Sequence, residues 1–92
     1  MKTSEGLMRK AVELWGRESQ LNMVIEECAE LINAIQKRRR NRVDDNDILS
    51  EGVDVELCLE QLKLILDNPV RWRVVRDIKL DRLQALIYKE TL

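Results

Sequence analysis

Hydrophobic residues recur along this chain at spacings of three and four, which places them on one face of a helix. The pattern forms four segments. The first runs from about Ser4 to Trp15 and stops before Gly16, a residue suited to end a helix. The second runs from Ser19, which can act as an N-cap, to near Arg40.

The second half of the chain predicts two more helices. One starts after the acidic segment 44–47, whose negative charge suits a helix N-terminus, and ends near Asp67. The other starts at Asn68, with Pro69 in the first helical position, and continues to about Tyr88. Short connections favour antiparallel neighbours, so we expect an all-α protein built as a four-helix antiparallel bundle.

Length and composition indicate a single domain over residues 1–92. Hydrophobic residues make up 45% and charged residues 36%, while aromatic residues are only 3%, so the core must be aliphatic. A chain of 92 residues is near the lower limit for burying a sufficient core. We therefore expect a homodimer or homotetramer.

Charge and residue types narrow the function further. A net charge of −1 gives no reason to expect nucleic-acid binding. The sequence has no apolar run of membrane-spanning length and no signal-peptide core, which predicts a cytoplasmic protein without a membrane partner. His is absent, which removes His-based catalysis, and Cys28 and Cys58 lie on apolar stripes as expected for free buried thiols.

Two acidic motifs carry the candidate chemistry, Glu26-Glu27-x-x-Glu30 in the second helix and Glu51-x-x-Asp54 in the third. Each groups carboxylates on one helical face, where like charges repel unless a cation lies among them. Divalent cations such as Mg²⁺ prefer oxygen ligands, and two facing helices can supply them. Antiparallel packing is compatible with one metal site that includes both motifs.

The alternative interpretation is that these acids form a solvated face. Glu51 and Asp54, however, share a helical sector with apolar residues, and buried carboxylates must be paired, protonated or metal-bound. The apolar residues of that sector are Val55, Cys58, Leu62 and Ile65. Metal binding is therefore the favoured hypothesis.

The two motifs, together with Leu14-Trp15-Gly16 ahead of them, resemble the signature of MazG-like nucleoside triphosphate pyrophosphohydrolases of the all-α NTP pyrophosphatase superfamily. The resemblance covers about residues 7–83 and implies Mg²⁺-dependent hydrolysis of an NTP or dNTP to the monophosphate and pyrophosphate, with Mn²⁺ as a substitute ion. It also implies a role in removing non-standard nucleotides. The alternatives are a narrower dUTPase-like or dCTPase-like enzyme and a non-catalytic dimerising helical module.

By this resemblance, Glu27, Glu30, Glu51 and Asp54 are the metal ligands. Glu26 takes the additional acidic position, and either Glu26 or Glu27 is expected to orient or deprotonate the attacking water.

The fourth helix carries Lys79 and Arg82 within its apolar sector. Either their stems lie along the bundle with the charged ends in water, or they bind the substrate's phosphates, as the resemblance implies.

Each of three further features has two interpretations. The basic run 37–42 either complements the end of its helix or steers anionic nucleotides. Trp15 and Trp72 are either packing anchors or surfaces that stack a base. Asn22 either caps its helix or contacts a nucleotide.

Overall fold

The computed structural model describes residues 3–40 and 44–92. These residues form four α-helices and no strand, which confirms the all-α prediction. The helices are α1 (Ser4–Trp15), α2 (Arg17–Arg39), α3 (Asp45–Leu66) and α4 (Pro69–Glu90). The connection between α2 and α3, where the sequence leaves room for a hairpin over residues 41–46, lies partly outside the described residues, as does the end of the basic run at Arg42.

Side-chain caps define the start of three helices. Thr3 Oγ1 accepts a hydrogen bond from the Gly6 backbone N–H at 3.0 Å and begins α1. Asp44 and Asp47 form a reciprocal capping box at the start of α3, in which each carboxylate accepts from the other residue's backbone N–H. Asn68 caps α4 directly before Pro69, which confirms the predicted start of α4. Helix α3 begins at Asp45, inside the acidic segment that was predicted to precede it.

Gly16 is the joint between α1 and α2. Its backbone has φ 88°, a conformation that residues with a Cβ rarely adopt. Its N–H bonds to the Val12 carbonyl of α1, and its carbonyl accepts from the Gln20 N–H of α2. One residue therefore ends the first helix and starts the second. The predicted N-cap at Ser19 is wrong, because α2 has already begun at Arg17.

Helices α1, α2 and α3 pack on one another, with α2 and α3 sharing the longest interface. Buried hydrophobic residues are few, and within the described ranges they are Ala34, Cys58 and Ile65. The Ser4 hydroxyl of α1 also donates a hydrogen bond to the Glu60 carboxylate of α3. These contacts are those of a small helical bundle.

Helix α4 makes at most slight contact with the other three helices, so the fourth helix of the predicted bundle does not pack within the chain. The Cα radius of gyration is 16.5 Å, whereas a compact domain of this length has a value of about 12 Å. Between α3 and α4 lies a cleft of about 980 Å³, called the α3–α4 groove below. Among its lining residues, the Lys63 ammonium lies 5.2 Å from the centre of the Trp72 ring.

The surface of α4 is unusually apolar. Among its large hydrophobic residues the exposed fractions range from 40% for Val74 to 66% for Tyr88. The exposed set is Val70, Val74, Ile78, Leu80, Leu83, Leu86, Ile87 and Tyr88. Exposed hydrophobic residues in this number on one helix are typical of an interaction site. No helix within 3–40 and 44–92 has both the length and the apolar character needed to cross a membrane.

Candidate functional site

The antiparallel packing of α2 and α3 brings the two acidic motifs together. One carboxylate oxygen each from Glu27, Glu51 and Asp54 lies within 4.8 Å of the other two. These three residues are called the acidic cluster below. The register is fixed by neighbouring contacts along the same interface, where the Cys58 thiol of α3 approaches the Met23 carbonyl of α2 at 4.0 Å.

Two oxygens of the acidic cluster are buried and unpaired. Glu27 Oε2 and Glu51 Oε2 are both inaccessible to solvent, and neither has a hydrogen-bond partner among the described residues. An unpaired buried oxygen is unfavourable, and more so when the group is charged. A bound cation, or a proton held by one of the carboxyls, would relieve this cost.

Electrostatics at the cluster follow from the same geometry. Burial raises the pKa of Glu27 above its ordinary value, and the charges of Glu30 and Asp54 raise it further. Burial likewise raises the pKa of Glu51, with a second contribution from the charge of Glu30. A side-chain hydrogen bond with Glu30 raises the pKa of both Glu27 and Glu51 further, so Glu30 lies against both carboxyls, although it is not in the set whose oxygens are all within 4.8 Å of one another.

The described residues provide no cation at this cluster. Their ion pairs join Arg9 to Glu5 at 3.1 Å and Arg38 to Asp45 at 2.9 Å, and neither pair includes a member of the acidic cluster. The carboxylate oxygens of the cluster come from two helices, lie close together and have no counter-charge nearby in the described part of the chain. Such a set of oxygen ligands suits a hard divalent ion. Exposed acidic groups are also common without an ion, so proximity alone does not establish one.

The raised pKa values predict that the metal-free protein becomes less stable as pH rises, which is opposite to the usual effect of ionised carboxylates in salt bridges. A folded-state pKa above the unfolded value means that the folded state binds more protons, so stability falls as pH rises from about 4.5 through the folded pKa values. We expect the melting temperature in EDTA to be higher at pH 4.5 than at pH 7.5. Thermal denaturation followed by circular dichroism measures this difference. A double variant Glu27→Gln/Glu51→Gln should lose most of it, and an unchanged pH dependence would contradict the assignment.

The other predicted site residues lie elsewhere. Glu26 is exposed on α2, beside Glu27 but outside the cluster. Lys79 lines the α3–α4 groove, opposite Gly52 and Glu56, which lie on a different face of α3 from Glu51. Arg82 is exposed on the same helix as Lys79. The structure therefore brings three of the predicted ligands together, whereas the predicted phosphate-binding residues lie on a helix that packs separately.

Sequence reasoning missed a small cleft of about 420 Å³ beside the acidic cluster, called the glutamine cleft below. Its lining residues are Trp15, Ser19, Gln20, Met23, Cys58 and Gln61. Gln20 is only 4% exposed, and Gln61 Oε1 is buried without a hydrogen-bond partner in the described parts of the chain. One signal was available: Gln20 precedes Glu27 by seven residues and Gln61 follows Asp54 by seven, so antiparallel helices bring the two glutamines together.

Comparison with protein-family models, curated proteins and solved structures finds no match for this chain. No family assignment follows from these comparisons. The resemblance to MazG-like enzymes therefore stays a prediction that rests on the two acidic motifs and their setting.

Proposed function

We propose that this protein is a Mg²⁺-dependent nucleotide pyrophosphohydrolase that converts an NTP or dNTP to the monophosphate and pyrophosphate, with removal of non-standard nucleotides as its role. One observation carries the proposal. Three carboxylates from two facing helices converge within 4.8 Å, and buried oxygens of two of them have no partner among the described residues. The predicted fold class, the all-α NTP pyrophosphatase fold, belongs to the same proposal.

The acidic cluster fits a divalent ion. Oxygens on opposite sides of Mg²⁺ are about 4.2 Å apart, because each lies about 2.1 Å from the ion. Separations of up to 4.8 Å need only a small inward movement of the side chains. Glu27, Glu51 and Asp54 would hold the ion, with Glu30, which lies against Glu27 and Glu51, as the fourth proposed ligand. Mn²⁺ accepts the same oxygen ligands and is expected to substitute.

The reaction needs positive charge and a base. When bound, Mg²⁺ offsets the charge of the phosphate oxygens and makes a nearby water more acidic. A carboxylate within hydrogen-bond reach then takes the proton of the attacking water, which is the role proposed for Glu26 or Glu27. Water attacks the α-phosphorus, the bond to the bridging oxygen breaks, and pyrophosphate leaves. Lys79 and Arg82 remain proposed phosphate ligands.

A homodimer or homotetramer is part of the proposal. It is supported by the exposed hydrophobic residues of α4 and by the volume of the α3–α4 groove, which together leave much hydrophobic surface in water in a monomer. The same observation favours the second candidate function, a non-catalytic module that dimerises. Metal binding separates the two, because a dimerising module has no use for unpaired buried carboxylates.

Mg²⁺ is expected to stabilise the fold strongly, because it binds the folded cluster and not the unfolded chain. A concentration one hundred times the dissociation constant contributes about 2.7 kcal/mol, which raises the melting temperature of a domain of this size by about 10 °C or more. Thermal denaturation in EDTA, in Mg²⁺ and in NaCl of equal ionic strength measures the effect. A rise that NaCl reproduces would contradict a specific metal site.

Product analysis tests the reaction itself. The protein is incubated with Mg²⁺ and a panel of ribonucleoside and deoxyribonucleoside triphosphates, including dUTP and dCTP, and the products are separated by ion exchange. Monophosphate and pyrophosphate in equal amounts, absent with EDTA, support the proposal. Turnover confined to dUTP or dCTP would support the narrower enzyme instead. Diphosphate and orthophosphate as products would overturn the reaction assignment.

A further inference from the structure

The α3–α4 groove has one wall from each helix, and the two walls differ in charge. Glu56 and Glu60 lie on α3 and are called the acidic wall below, whereas Arg71, Arg76 and Lys79 lie on α4 and are called the basic wall. None of these five side chains belongs to an ion pair within residues 3–40 and 44–92. The groove therefore places opposite charges on two surfaces that do not pair with each other inside the chain.

The interior of the groove is apolar and has room for part of a helix. Apolar side chains from both helices line it, among them Leu59 of α3 and Val75 of α4. Lys63 adds a cation to the α3 side, but its ammonium lies over the Trp72 ring. The volume is about 980 Å³, and two turns of a helix about 10 Å across fill about 850 Å³. A helix with basic side chains therefore suits the α3 side of the groove in size and in charge.

The connection between α3 and α4 keeps the groove open. It consists of Asp67 and Asn68, between the end of α3 at Leu66 and the start of α4 at Pro69. Asp67 has φ 50° and donates its backbone N–H to the Lys63 carbonyl, while Asn68 caps α4. Hydrogen bonds on both sides of this short connection fix the direction in which α4 leaves α3. Filling the groove from a second chain therefore requires no change at the connection, whereas closing it within one chain does.

We propose that the α3–α4 grooves of two copies of this chain face each other, so that helix α4 of each copy enters the groove of the other and packs against its α3. In a two-fold dimer the same contact is made twice. The acidic wall of each chain then meets the basic wall of its partner, and charges without a partner inside one chain gain one between chains. This inference rests on the homo-oligomer of the proposed function and names its interface, but it does not depend on the hydrolysis reaction.

Charge reversal on either wall tests the pairing. Glu56→Lys/Glu60→Lys gives both walls positive charge, and Arg71→Glu/Arg76→Glu gives negative charge to the wall that faces the acids. Like charges that meet in an interface weaken it strongly, so we expect each variant alone to have a dissociation constant about a hundredfold or more above that of the wild type. Sedimentation velocity over a concentration series measures it, and each variant should sediment as one chain where the wild type is assembled.

Two control variants separate the groove from other effects. Arg73→Glu/Lys89→Glu makes the same change of charge on exposed residues of α4 outside the groove and should keep the wild-type mass. Ser4→Ala removes the hydrogen bond from α1 to Glu60 without changing a charge and should keep it too.

Mixing the two reversed variants is the decisive measurement. In an equimolar mixture every positive wall again meets a negative one, so the mass of the wild-type assembly should return, with a dissociation constant within about tenfold of the wild-type value. Recovery on mixing cannot arise from contacts inside one chain. It also shows that both variants are folded, because unfolded chains would not reassemble.

The other outcomes overturn the inference in distinguishable ways. A wild-type protein that sediments as one chain overturns it together with the proposed homo-oligomer, while product analysis still decides the hydrolysis reaction. Wild-type mass in both reversed variants leaves an oligomer but excludes the groove as its interface. Variants that dissociate and do not recover on mixing also overturn the pairing, because the charges then act within one chain.

Discussion

Replacing Glu51 by glutamine is expected to lower Mg²⁺-dependent hydrolysis by at least about a hundredfold, because an ion that stabilises the transition state contributes several kcal/mol and each 1.36 kcal/mol is a factor of ten. The substitution keeps the size of the side chain and removes one negative charge from the acidic cluster. Steady-state pyrophosphate release with the best nucleotide of the panel measures the loss. Mg²⁺ affinity, measured by isothermal titration calorimetry, should fall in parallel.

The same variant should be more stable than the wild type when no metal is present. Glu51 Oε2 is buried and unpaired, and Glu27, Asp54 and Glu30 surround it with like charge. Removing its charge relieves both the repulsion and part of the desolvation cost. We therefore expect a higher melting temperature in EDTA and a smaller rise on addition of Mg²⁺.

Opposite effects on stability and activity distinguish a metal ligand from a residue that merely supports the fold. Glu13→Gln is the matched control, since Glu13 is an exposed carboxylate of α1 outside the cluster and should change neither quantity. Full Mg²⁺-dependent turnover in Glu51→Gln would refute the metal site. A large loss of apo stability would instead assign Glu51 to the packing of α2 against α3.

Local signals predicted the helices well because their causes lie within a few residues. The capping side chain of Asn68 and the proline at position 69 act on backbone groups of the next turn, so the sequence suffices to place the start of α4. Helix α3 begins earlier than predicted, because Asp44 alone caps it and the other acids lie in its first turn. Ser19 shows the limit of such signals. A serine before an apolar run resembles a cap, but Gly16 had already turned the chain and accepted the first helical bond.

Packing between helices was less predictable. The spacing of the acidic motifs was compatible with a shared site, and the structure brings Glu27, Glu51 and Asp54 together with Glu30 against two of them, but which carboxylates come closest depends on the packing of α2 against α3. Lys79 illustrates the same point. Its sequence sector is apolar, yet the helix that carries it does not fold back on the bundle.

The glutamine cleft was missed because no local rule marks it. Gln20 and Gln61 are separated by 40 intervening residues and resemble ordinary surface glutamines on their own helices. Only the register of α2 against α3, together with the turn that brings Trp15 to its mouth, makes them one site. Gln20 lies seven residues before Glu27, and Gln61 lies seven residues after Asp54. This equal spacing becomes informative once antiparallel packing of α2 and α3 is assumed.

Leu83→Glu is expected to convert the assembled protein to a monomer. Leu83 is 52% exposed, lies on α4 and lines the α3–α4 groove, so it is placed to contact a second copy of the chain. A buried glutamate in an apolar interface is strongly unfavourable, because the charged group loses its hydration without gaining a partner. Sedimentation equilibrium should give a mass of two or four chains for the wild type and one chain for the variant.

The helical content of the Leu83→Glu variant should fall together with its sedimentation mass. Helix α4 has 22 residues and at most slight contact with the rest of its own chain, and isolated helices owe most of their stability in proteins to tertiary packing. In a monomer α4 should therefore fray, which lowers the circular dichroism signal at the helical band while α1–α3 stay folded. Leu92→Glu is the control, because Leu92 is 87% exposed and lies outside the groove. A wild-type protein that sediments as one chain, or a variant that keeps both its mass and its helicity, would refute the interface and leave the apolar surface of α4 to a different partner.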